Sequence, residues 1–371
     1  MSDNKIRLLL FNLKTDADDS NLGFTSDWIN ALAPFCETID VITMQAGRLN
    51  VADNVRVYSV GKECGYSDVR RTLEFYRILF RLLRERPYEV CFAHMMPLFA
   101  VMGAPLLKLW RVPIVLWYTH KAVSLKLRLA EKVSWRVVTA SAESFRLPSQ
   151  KVCIIGHGVD TELFIPSLIQ RQSEQQFVVI SVGRIAPVKC LNTLIDAAKA
   201  LYDDLEVQRL RVRIIGDAAP EYADHLGHLR GLVDMLKLEK VVEFAGGVSH
   251  ERVVLEYQEA DVMVNSSKTG SIDKAVLEAM ACGLPVVTSN EAFRAMLASW
   301  DGLLFIPPDS PGKLAASILR LKDMPAAERI TLGKDLREIV VCDHSMERLT
   351  QKLISVFKTG EPGDHQEKGN L

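Results

Sequence analysis

The sequence lacks an excess of either charge and lacks the cysteine patterns that bind metals or form disulfides. Its 371 residues include 45 Lys or Arg and 46 Asp or Glu, and the formal net charge of −1 argues against a nucleic-acid-binding protein. The seven cysteines are scattered, odd in number and without any Cys-x-x-Cys, so neither a disulfide framework nor a zinc site is predicted. This cysteine usage fits a reducing, cytoplasmic compartment.

Long apolar runs are also scarce. The residues from Met1 to Lys5 are polar and charged, without the apolar region of a signal peptide, so secretion is not expected. The uncharged run at residues 90–107 has the length of a membrane span, but it contains His94, Pro97 and Pro105. A strand, a loop and a buried helix explain this run better than a transmembrane helix does.

One segment departs from the even charge balance. Between residues 70 and 136 there are 13 Lys or Arg but only four Asp or Glu. Such a local excess of positive charge can contact an anionic membrane surface or an anionic substrate, although solvated helix faces are its commoner explanation. The expected location is therefore cytoplasmic, with a peripheral contact to the inner face of the membrane as the alternative.

The apolar content, 48% of 371 residues, is sufficient for packed cores, and the length exceeds that of one ordinary domain. In both halves, short continuous apolar segments alternate with helical stretches, which is typical of an α/β protein with a parallel sheet covered on both faces. The strands predicted in the first half are residues 6–13, 39–44, 55–60, 89–94, 113–118, 137–140 and 151–155. Those predicted in the second half are residues 177–182, 211–215, 241–245, 261–265, 285–288 and 303–306.

These patterns predict two doubly wound, Rossmann-like domains, residues 1–165 and 177–345, joined by a polar linker at 166–176. Helical spacing continues over 346–357, and residues 358–371 are predicted to be a disordered tail. Doubly wound sheets bind ligands at the carboxyl ends of their strands. Two such domains facing a central cleft would therefore offer one wall to each of two substrates.

The first candidate site follows the predicted strand 177–182, where Gly183 and Arg184 precede Lys189 and a helix. Two cations and the backbone N–H groups of a helix N-terminus can bind a diphosphate. A surface turn with two solvated cations explains the same residues about equally well.

The second candidate site is the segment 266–274, which is rich in hydroxyl groups and precedes a helix predicted at 275–282. Such a segment is typical of an anion cradle, and Gly283 is predicted to be the helix C-cap. Lys274 is informative because a cation in the first helical turn opposes the helix dipole. A bound anion would remove this penalty, and pairing with Asp273 or extension into water are the alternatives.

Four segments together resemble the retaining family 4 glycosyltransferases, which are glycosyl transferases of group 1. The segments are Val182-Gly183-Arg184 with Lys189, residues 276–287 (Val-Leu-Glu-Ala-Met-Ala-Cys-Gly-Leu-Pro-Val-Val), residues 244–248 (Phe-Ala-Gly-Gly-Val), and Gly158-Val159-Asp160 with Phe164. The resemblance implies the GT-B fold, in which two Rossmann-like domains face a central cleft. The N-terminal domain would bind the acceptor and the C-terminal domain the nucleotide-sugar donor.

The resemblance also implies roles for individual residues. Gly183, Arg184 and Lys189 belong to the donor site, and the two cations would hold the diphosphate and offset charge on the departing nucleotide diphosphate. Glu278 matches the second glutamate of the family's Glu-x-x-x-x-x-x-x-Glu pattern, which accepts hydrogen bonds from the ribose hydroxyls. His120, after a predicted strand, matches a family position near the sugar and the acceptor.

This chain departs from the family at the first glutamate of that pattern, where it has Gly270. Ser271, Asp273 or Lys274 could replace the missing contact with the donor sugar, or the sugar could bind differently.

Other residues carry weaker signals. Cys190 stands where the family has a glycine, and Gly23 represents the family's glycine-rich first loop, whose backbone could approach the donor phosphate. His94 ends another predicted strand, where a core histidine is an equally good explanation, and His157 either fills a turn or points at the cleft. The Asp-x-Asp at residues 16–18 is better explained by a solvated turn than by a metal site.

The resemblance therefore implies a retaining glycosyltransferase that moves a sugar from a nucleotide diphosphate sugar to a cell-surface glycan, lipid-linked or small-molecule acceptor. Fixed cations and a helix N-terminus would replace the charge of a metal ion, so no metal or other cofactor is expected. Two alternatives remain open. One is a nucleotide-sugar epimerase or phosphorylase on the same fold, and the other is a non-catalytic nucleotide-sugar-binding protein, which Gly270 favours.

Overall fold

The computed structural model describes residues 5–19, 22–167, 176–204 and 210–363. The chain forms two compact units: unit 1 comprises residues 1–158 and 346–371, and unit 2 comprises residues 159–345. The division after residue 158 differs from the predicted boundary after residue 165, because the segment 159–165 is bonded to unit 2. The N–H of Val159 donates to the carbonyl of His344 (2.8 Å), and Arg337 Nη1 donates to the carbonyl of Phe164 (2.7 Å). Most of the predicted linker, residues 168–175, lies outside the described residues.

Strands and helices alternate along most of the described chain. In chain order they are β1 (Ile6–Thr15), α1 (Phe24–Leu32), β2 (Cys36–Ala46), β3 (Val55–Ser59), α2 (Asp68–Glu85), β4 (Val90–His94), α3 (Pro97–Leu109), β5 (Ile114–Trp117), α4 (Leu125–Val133), β6 (Arg136–Thr139), β7 (Val152–Ile154), β8 (Phe177–Val182), α5 (Leu191–Asp204), β9 (Leu210–Ile215), α6 (Ala223–Met235), β10 (Val242–Gly246), α7 (His250–Gln258), β11 (Val262–Asn265), α8 (Lys274–Ala281), β12 (Val286–Thr288), α9 (Pro311–Asp323), α10 (Ala326–Asp343) and α11 (Met346–Thr359). Short 3₁₀ turns occupy Ala33–Phe35, Ala142–Ser144, Pro187–Lys189, Pro220–Tyr222, Glu291–Phe293 and Ala298–Trp300.

Unit 1 is built on a seven-stranded parallel sheet with the strand order β3-β2-β1-β4-β5-β6-β7. The central strand β4 is buried along its whole length, which explains why its sequence is continuously apolar rather than alternating. Residues 90–107, which have the length of a membrane span, form β4 and most of α3. No described helix is long and apolar enough to cross a bilayer.

The last helix, α11, belongs to unit 1 although unit 2 separates the two in sequence. Its Phe357 packs on Phe92 of β4, with ring centroids 5.2 Å apart. Its Leu349 lies so close to Gly158 that a Cβ at that glycine would come within 2.7 Å of the leucine side chain. The helical spacing at 346–357 therefore corresponds to a helix whose apolar face completes the packing of unit 1.

The predicted tail, residues 358–371, differs from the structure in its first part. Helix α11 continues to Thr359, and Arg136 of β6 then donates to the carbonyl of Gly360 (2.6 Å) and to the carboxylate of Glu361 (3.0 Å). These contacts order the residues directly after the helix. Residues 364–371 lie outside the described residues.

Unit 2 is built on a five-stranded parallel sheet with the strand order β10-β9-β8-β11-β12. The predicted fold class, two parallel α/β domains in tandem, is therefore confirmed. One predicted strand, residues 303–306, is wrong: only Phe305 pairs there, as isolated bridges to Thr288 and Asp301. Gly302, with φ +75°, turns the backbone between Asp301 and Phe305, so the segment cannot extend along β12.

Candidate functional site

The candidate site in unit 2 lies at the carboxyl ends of β8 and β11, which pair in parallel. A depression there is lined by Gly183 and Arg184 after β8, by Lys189, and by Asn265 and Ser266 at the end of β11. The carboxyl ends of parallel strands meet at one edge of a sheet, which is where open α/β sheets bind ligands. The structure thus brings together three of the residues predicted for the donor diphosphate.

A close backbone approach between two glycines lies beside this depression. Gly183 has φ +143° and Gly216, after β9, has φ +136°; a Cβ on Gly216 would lie 2.1 Å from the carbonyl oxygen of Gly183. Only glycine fits the second position without displacing the loop. Cys190, which stands where the family has a glycine, also adopts a left-handed conformation, with φ +47°. The family's preference for glycine after the phosphate lysine therefore has a backbone explanation.

Lys189 and Asp273 form the central ion pair of the site. Lys189 Nζ donates to Asp273 Oδ1 at 2.7 Å, and the two side chains are only 18% and 14% exposed. Asn265 Nδ2 donates to Asp273 Oδ2 at 2.9 Å, and Asn290 Nδ2 lies 3.3 Å from the same oxygen. Both carboxylate oxygens accept hydrogen bonds, so Asp273 fixes the position of Lys189 within this network.

Three polar residues of this network were not predicted from the sequence. Asn265 and Thr288 end β11 and β12, and Thr288 Oγ1 donates to Asn265 Oδ1 at 3.0 Å. Asn290 donates to the carbonyl of Ser271 at 2.8 Å and so joins the loop before α8 to the loop after β12. The signal that could have found them is their position, since Asn265 and Thr288 end apolar parallel strands and Asn290 comes two residues after β12.

The loop before α8 explains the missing glutamate in physical terms. Gly270 is buried and has φ +62°, a conformation in which a side chain is disfavoured. The loop is held by its own hydroxyl groups, since Ser267 Oγ donates to Thr269 Oγ1 at 3.1 Å. In this backbone, position 270 suits glycine, and the neighbouring Ser271 remains a candidate for a sugar contact.

Helix α8 carries the remaining predicted donor residues. Lys274 is its first residue, and Lys274 Nζ lies 3.6 Å from Oε1 of Glu278, one turn along the helix. Tyr257 of α7 donates its hydroxyl to Glu278 Oε2 at 3.3 Å, and burial together with the neighbouring carboxylate raises the pKa of this tyrosine. The C-cap of α8 is Cys282 rather than the predicted Gly283, which follows it with φ +69° and so takes the left-handed position that commonly ends a helix.

The predicted site residues Gly23 and His120 belong to unit 1. Gly23 is the N-cap of α1, and its N–H already donates to the carbonyl of Asp19 at 2.9 Å. A Cβ at Gly23 would lie 2.7 Å from that carbonyl, so the glycine serves a close approach inside its own loop. His120 is exposed beyond the end of β5, and its Nδ1 accepts the N–H of Ala122 at 3.0 Å. In the neutral ring, Nε2 therefore carries the proton.

The weaker histidine candidates belong to an aromatic cluster of unit 1. His94 is 7% exposed, and its ring centroid lies 5.0 Å from that of Trp28 and 6.4 Å from that of Trp117. Burial lowers the pKa of His94 to about 4, so the ring is neutral at pH 7. His157 packs edge-on against the same two tryptophans, at 6.2 Å from each. His94 is thus a core histidine.

The Asp-x-Asp at residues 16–18 is engaged with protein cations. Asp16 lies 3.1 Å from Lys14 Nζ, and Asp18 forms a bidentate pair with Arg48 at 2.7 to 2.9 Å. Hydrogen bonds from these cations lower the pKa of both carboxyls. The segment is a turn held by ion pairs, as the simpler interpretation predicts.

Comparisons with known proteins agree with the fold. The sequence model of the family described as Glycosyl transferases group 1 matches residues 168–338. A D-inositol 3-phosphate glycosyltransferase of Kineococcus radiotolerans is 30% identical over 202 residues, which are 49% of this chain and 46% of that protein. The putative colanic acid biosynthesis glycosyltransferase WcaL of Escherichia coli is 28% identical over 218 residues, covering 57% of this chain and 52% of WcaL. The chain thus spans about half the length of these curated relatives.

Among solved structures, Anabaena HepE in complex with UDP superposes with a TM-score of 0.74 at 18% sequence identity, covering 95% of this chain and 100% of HepE. At this identity the likeness concerns the fold, and it extends over both units. Residues 168–338 are therefore similar to the group 1 glycosyltransferases, and the chain has the GT-B fold of two Rossmann-like domains.

Proposed function

We propose that the protein is a retaining glycosyltransferase that takes a sugar from a nucleotide diphosphate sugar. The observation that carries the proposal is the position of Lys189, whose ammonium is held 2.7 Å from Asp273 beside the exposed Arg184. An anion that entered this depression would meet two cations at the carboxyl edge of a parallel sheet. The match of residues 168–338 to group 1 glycosyltransferases supports the same function.

In the proposed reaction, the bond between the anomeric carbon and the diphosphate breaks, and the diphosphate leaves with the electron pair. The acceptor hydroxyl forms the new bond on the same face of the sugar, and its proton passes to the departing diphosphate. Lys189 has three N–H donors, of which Asp273 accepts one, so two remain for diphosphate oxygens. Together with Arg184, this fixed cation would stabilise the leaving group without a metal ion.

The donor's nucleoside and sugar are assigned to α8 and the loop before it. Glu278 is 7% exposed, and we propose that its carboxylate accepts the ribose hydroxyls. Lys274 and the hydroxyl of Ser271 are left to contact the sugar, because Asp273 is committed to Lys189. HepE was solved with UDP, so a uridine diphosphate sugar is the first donor to test. The proposed acceptor is a cell-surface glycan, lipid-linked or small molecule, and His120 is proposed to lie near it.

We also propose a peripheral contact between unit 1 and an anionic membrane surface. Helix α4 exposes Leu125, Leu129 and Val133 at helical spacing, with exposed fractions of 71%, 42% and 43%. Helix α2 exposes a second stripe, in which Val69 is 71% and Leu73 65% exposed. Lys and Arg residues of the segment 70–136 are interspersed in sequence with these apolar residues. Exposed apolar residues together with positive charge favour binding at the interface of an anionic bilayer.

The proposed activity is tested by donor-dependent release of UDP and by the configuration of the product. Wild-type protein is incubated with uridine diphosphate sugars and candidate acceptors; an α-linked product from an α-linked donor supports retaining transfer. Lys189→Ala should abolish turnover. The control is Lys199→Ala, which removes an ion pair with Asp203 on α5 and should leave turnover unchanged. Isomerised or phosphorolysed sugar without transfer would favour an epimerase or phosphorylase. Binding without release of UDP would favour a non-catalytic protein.

A further inference from the structure

A second cavity in unit 2 lies beside the edge strand β12 and shares no lining residue with the depression around Lys189. Its volume is about 380 Å³. One wall is a face of α9 that presents Lys313, Ser317 and Arg320, which are one turn apart along the helix. The opposite wall comes from the segments after β12 and contains Arg294 and Phe305. Volumes of this size are typical of sites for small molecules.

The two arginines are held in place by the walls of the cavity. The guanidinium carbon of Arg294 lies 4.4 Å from the centroid of the Phe305 ring, which fixes the guanidinium plane. Arg320 Nη1 donates to the carbonyl of Gly302 at 3.1 Å. Each guanidinium has five N–H donors, so both keep donors for a ligand. Asp301 is the one carboxylate among the described lining residues, which leaves an excess of positive charge.

One of the lining cations, Lys313, lies in the first turn of α9. The helix begins at Pro311, its N-cap Ser310 makes no side-chain cap, and its first turn contains no acidic residue. Lys313 in that turn opposes the helix dipole in the absence of an anion.

A serine on the same helix face also lines the cavity. Ser317 is 2% exposed, and its hydroxyl can donate to an anion bound at this wall.

We propose that this cavity binds a phosphate monoester. The dianion would lie between Lys313, Arg320 and Arg294 and accept the hydroxyl of Ser317, while the organic part would contact Phe305. A phosphate dianion matches the net charge of three cations and one carboxylate, and its oxygens match the fork of N–H donors on arginine. Inorganic phosphate shares this chemistry, so the experiment compares the two.

The test must separate this cavity from the diphosphate depression, which also attracts phosphate. The starting protein is therefore the full chain with Arg184→Ala and Lys189→Ala. Inorganic phosphate and glycerol 3-phosphate are each titrated at pH 7.5 and constant ionic strength, and binding is followed by ³¹P NMR line broadening. Lys313→Gln and, as a matched control on the same helix, Lys322→Gln are added separately. Lys322 does not line the cavity and lies 3.6 Å from Asp323.

We expect saturable binding in the starting protein, weakened about tenfold by Lys313→Gln and less than twofold by Lys322→Gln, because only the first removes a charge-assisted contact. Tighter binding of glycerol 3-phosphate would identify an ester as the ligand, and equal binding would identify free phosphate. The proposal is overturned if the starting protein shows no saturable binding, or if both lysine variants weaken binding equally. Thermal unfolding of each variant verifies that it is folded.

Discussion

Each unit pairs a carboxylate with a cation, but the two pairs lie at different places along their parallel sheets. In unit 1, Asp40 is fully buried in β2; Tyr88, just before β4, donates to it at 2.7 Å, and Arg86 lies 3.7 Å away. In unit 2, Asp273 and Lys189 pair after the ends of β11 and β8. Ligands approach parallel sheets at the carboxyl ends of the strands. We therefore expect the position of an ion pair on the sheet to distinguish a structural pair from the proposed ligand-binding one better than its residue types do.

The largest effect is expected from the buried histidine of unit 1, which should make that unit acid-labile. His94 has a pKa of about 4 in the folded protein against an ordinary value of 6.5, so between these values the unfolded chain binds a proton that the native state does not. Stability should therefore be complete above pH 6.5 and fall by about 3 kcal/mol as the pH drops to 4. His94→Gln should remove most of this dependence.

Urea unfolding followed by tryptophan fluorescence measures this loss, because Trp28, Trp110, Trp117 and Trp135 lie in unit 1 and only Trp300 lies in unit 2. Identical pH profiles for the wild type and the His94→Gln variant would contradict the prediction.

The second prediction tests whether the ion pair of unit 2 differs in function from that of unit 1. Lys189→Ala should weaken UDP binding by about 1.5–3 kcal/mol, since it removes a charge-assisted contact to the diphosphate. Arg184→Ala should have a similar effect on affinity. Asp40→Asn should lower the free energy of unfolding and leave UDP affinity unchanged.

Calorimetric titration with UDP and denaturant unfolding provide the two readouts. If Lys189→Ala and Asp40→Asn both lower the free energy of unfolding and neither changes UDP affinity, the ion pairs of the two units are equivalent. The donor site then lies elsewhere.

A third prediction concerns the loop before α8, which contains Gly270 and Asp273. Gly270→Ala should destabilise the protein by about 1–2 kcal/mol, because a side chain is unfavourable at φ +62°. Gly227→Ala is the matched control: this glycine lies within α6 and a Cβ there meets nothing within 4 Å, so alanine should stabilise by about 0.5–1 kcal/mol. Thermal unfolding compares the two variants. A neutral Gly270→Ala would show that the loop adapts freely.

A fourth, smaller effect separates the ribose contact from the diphosphate contact within unit 2. Glu278→Gln should weaken UDP binding by about 1 kcal/mol, because a charged acceptor for the ribose hydroxyls becomes neutral. Binding of 2′,3′-dideoxy-UDP should hardly change. Calorimetry with both nucleotides measures the difference. An equal loss for both would assign Glu278 to the support of Lys274 and Tyr257 instead.

The smallest effect is expected at the surface of unit 1. The protein should float weakly with phosphatidylcholine vesicles that contain phosphatidylglycerol, and salt should release it because exposed charges are screened. Lys126→Glu with Lys132→Glu on α4 should abolish flotation. Lys199→Glu with Lys322→Glu, which changes the same charge in unit 2, should not. Equal flotation with neutral and with anionic vesicles would show that lipid charge does not contribute to binding.

The sequence predicted the strands well because parallel, doubly covered strands are continuously apolar. Arg184 and Lys189 were predicted to lie between a strand and a helix, and the structure places both there, at the rim of the depression. The pairing of Lys189 with Asp273 was not foreseen, because it depends on two loops that are 84 positions apart in the chain. The same holds for Asn290, whose hydrogen bond to Ser271 joins the loop after β12 to the loop before α8. Local patterns predict elements, whereas a site built from several strand ends depends on the topology that joins them.

Helix α11 also has a consequence for the order in which the protein is made. Unit 1 needs this helix for its packing, yet the ribosome completes residues 159–345 before α11 is synthesised. At roughly 5–20 residues per second, the nascent unit 1 waits about 10 to 40 seconds with the surface around Phe92 uncovered. The unit encoded first is therefore the one completed last, and the exposed surface is a target for chaperones during that interval.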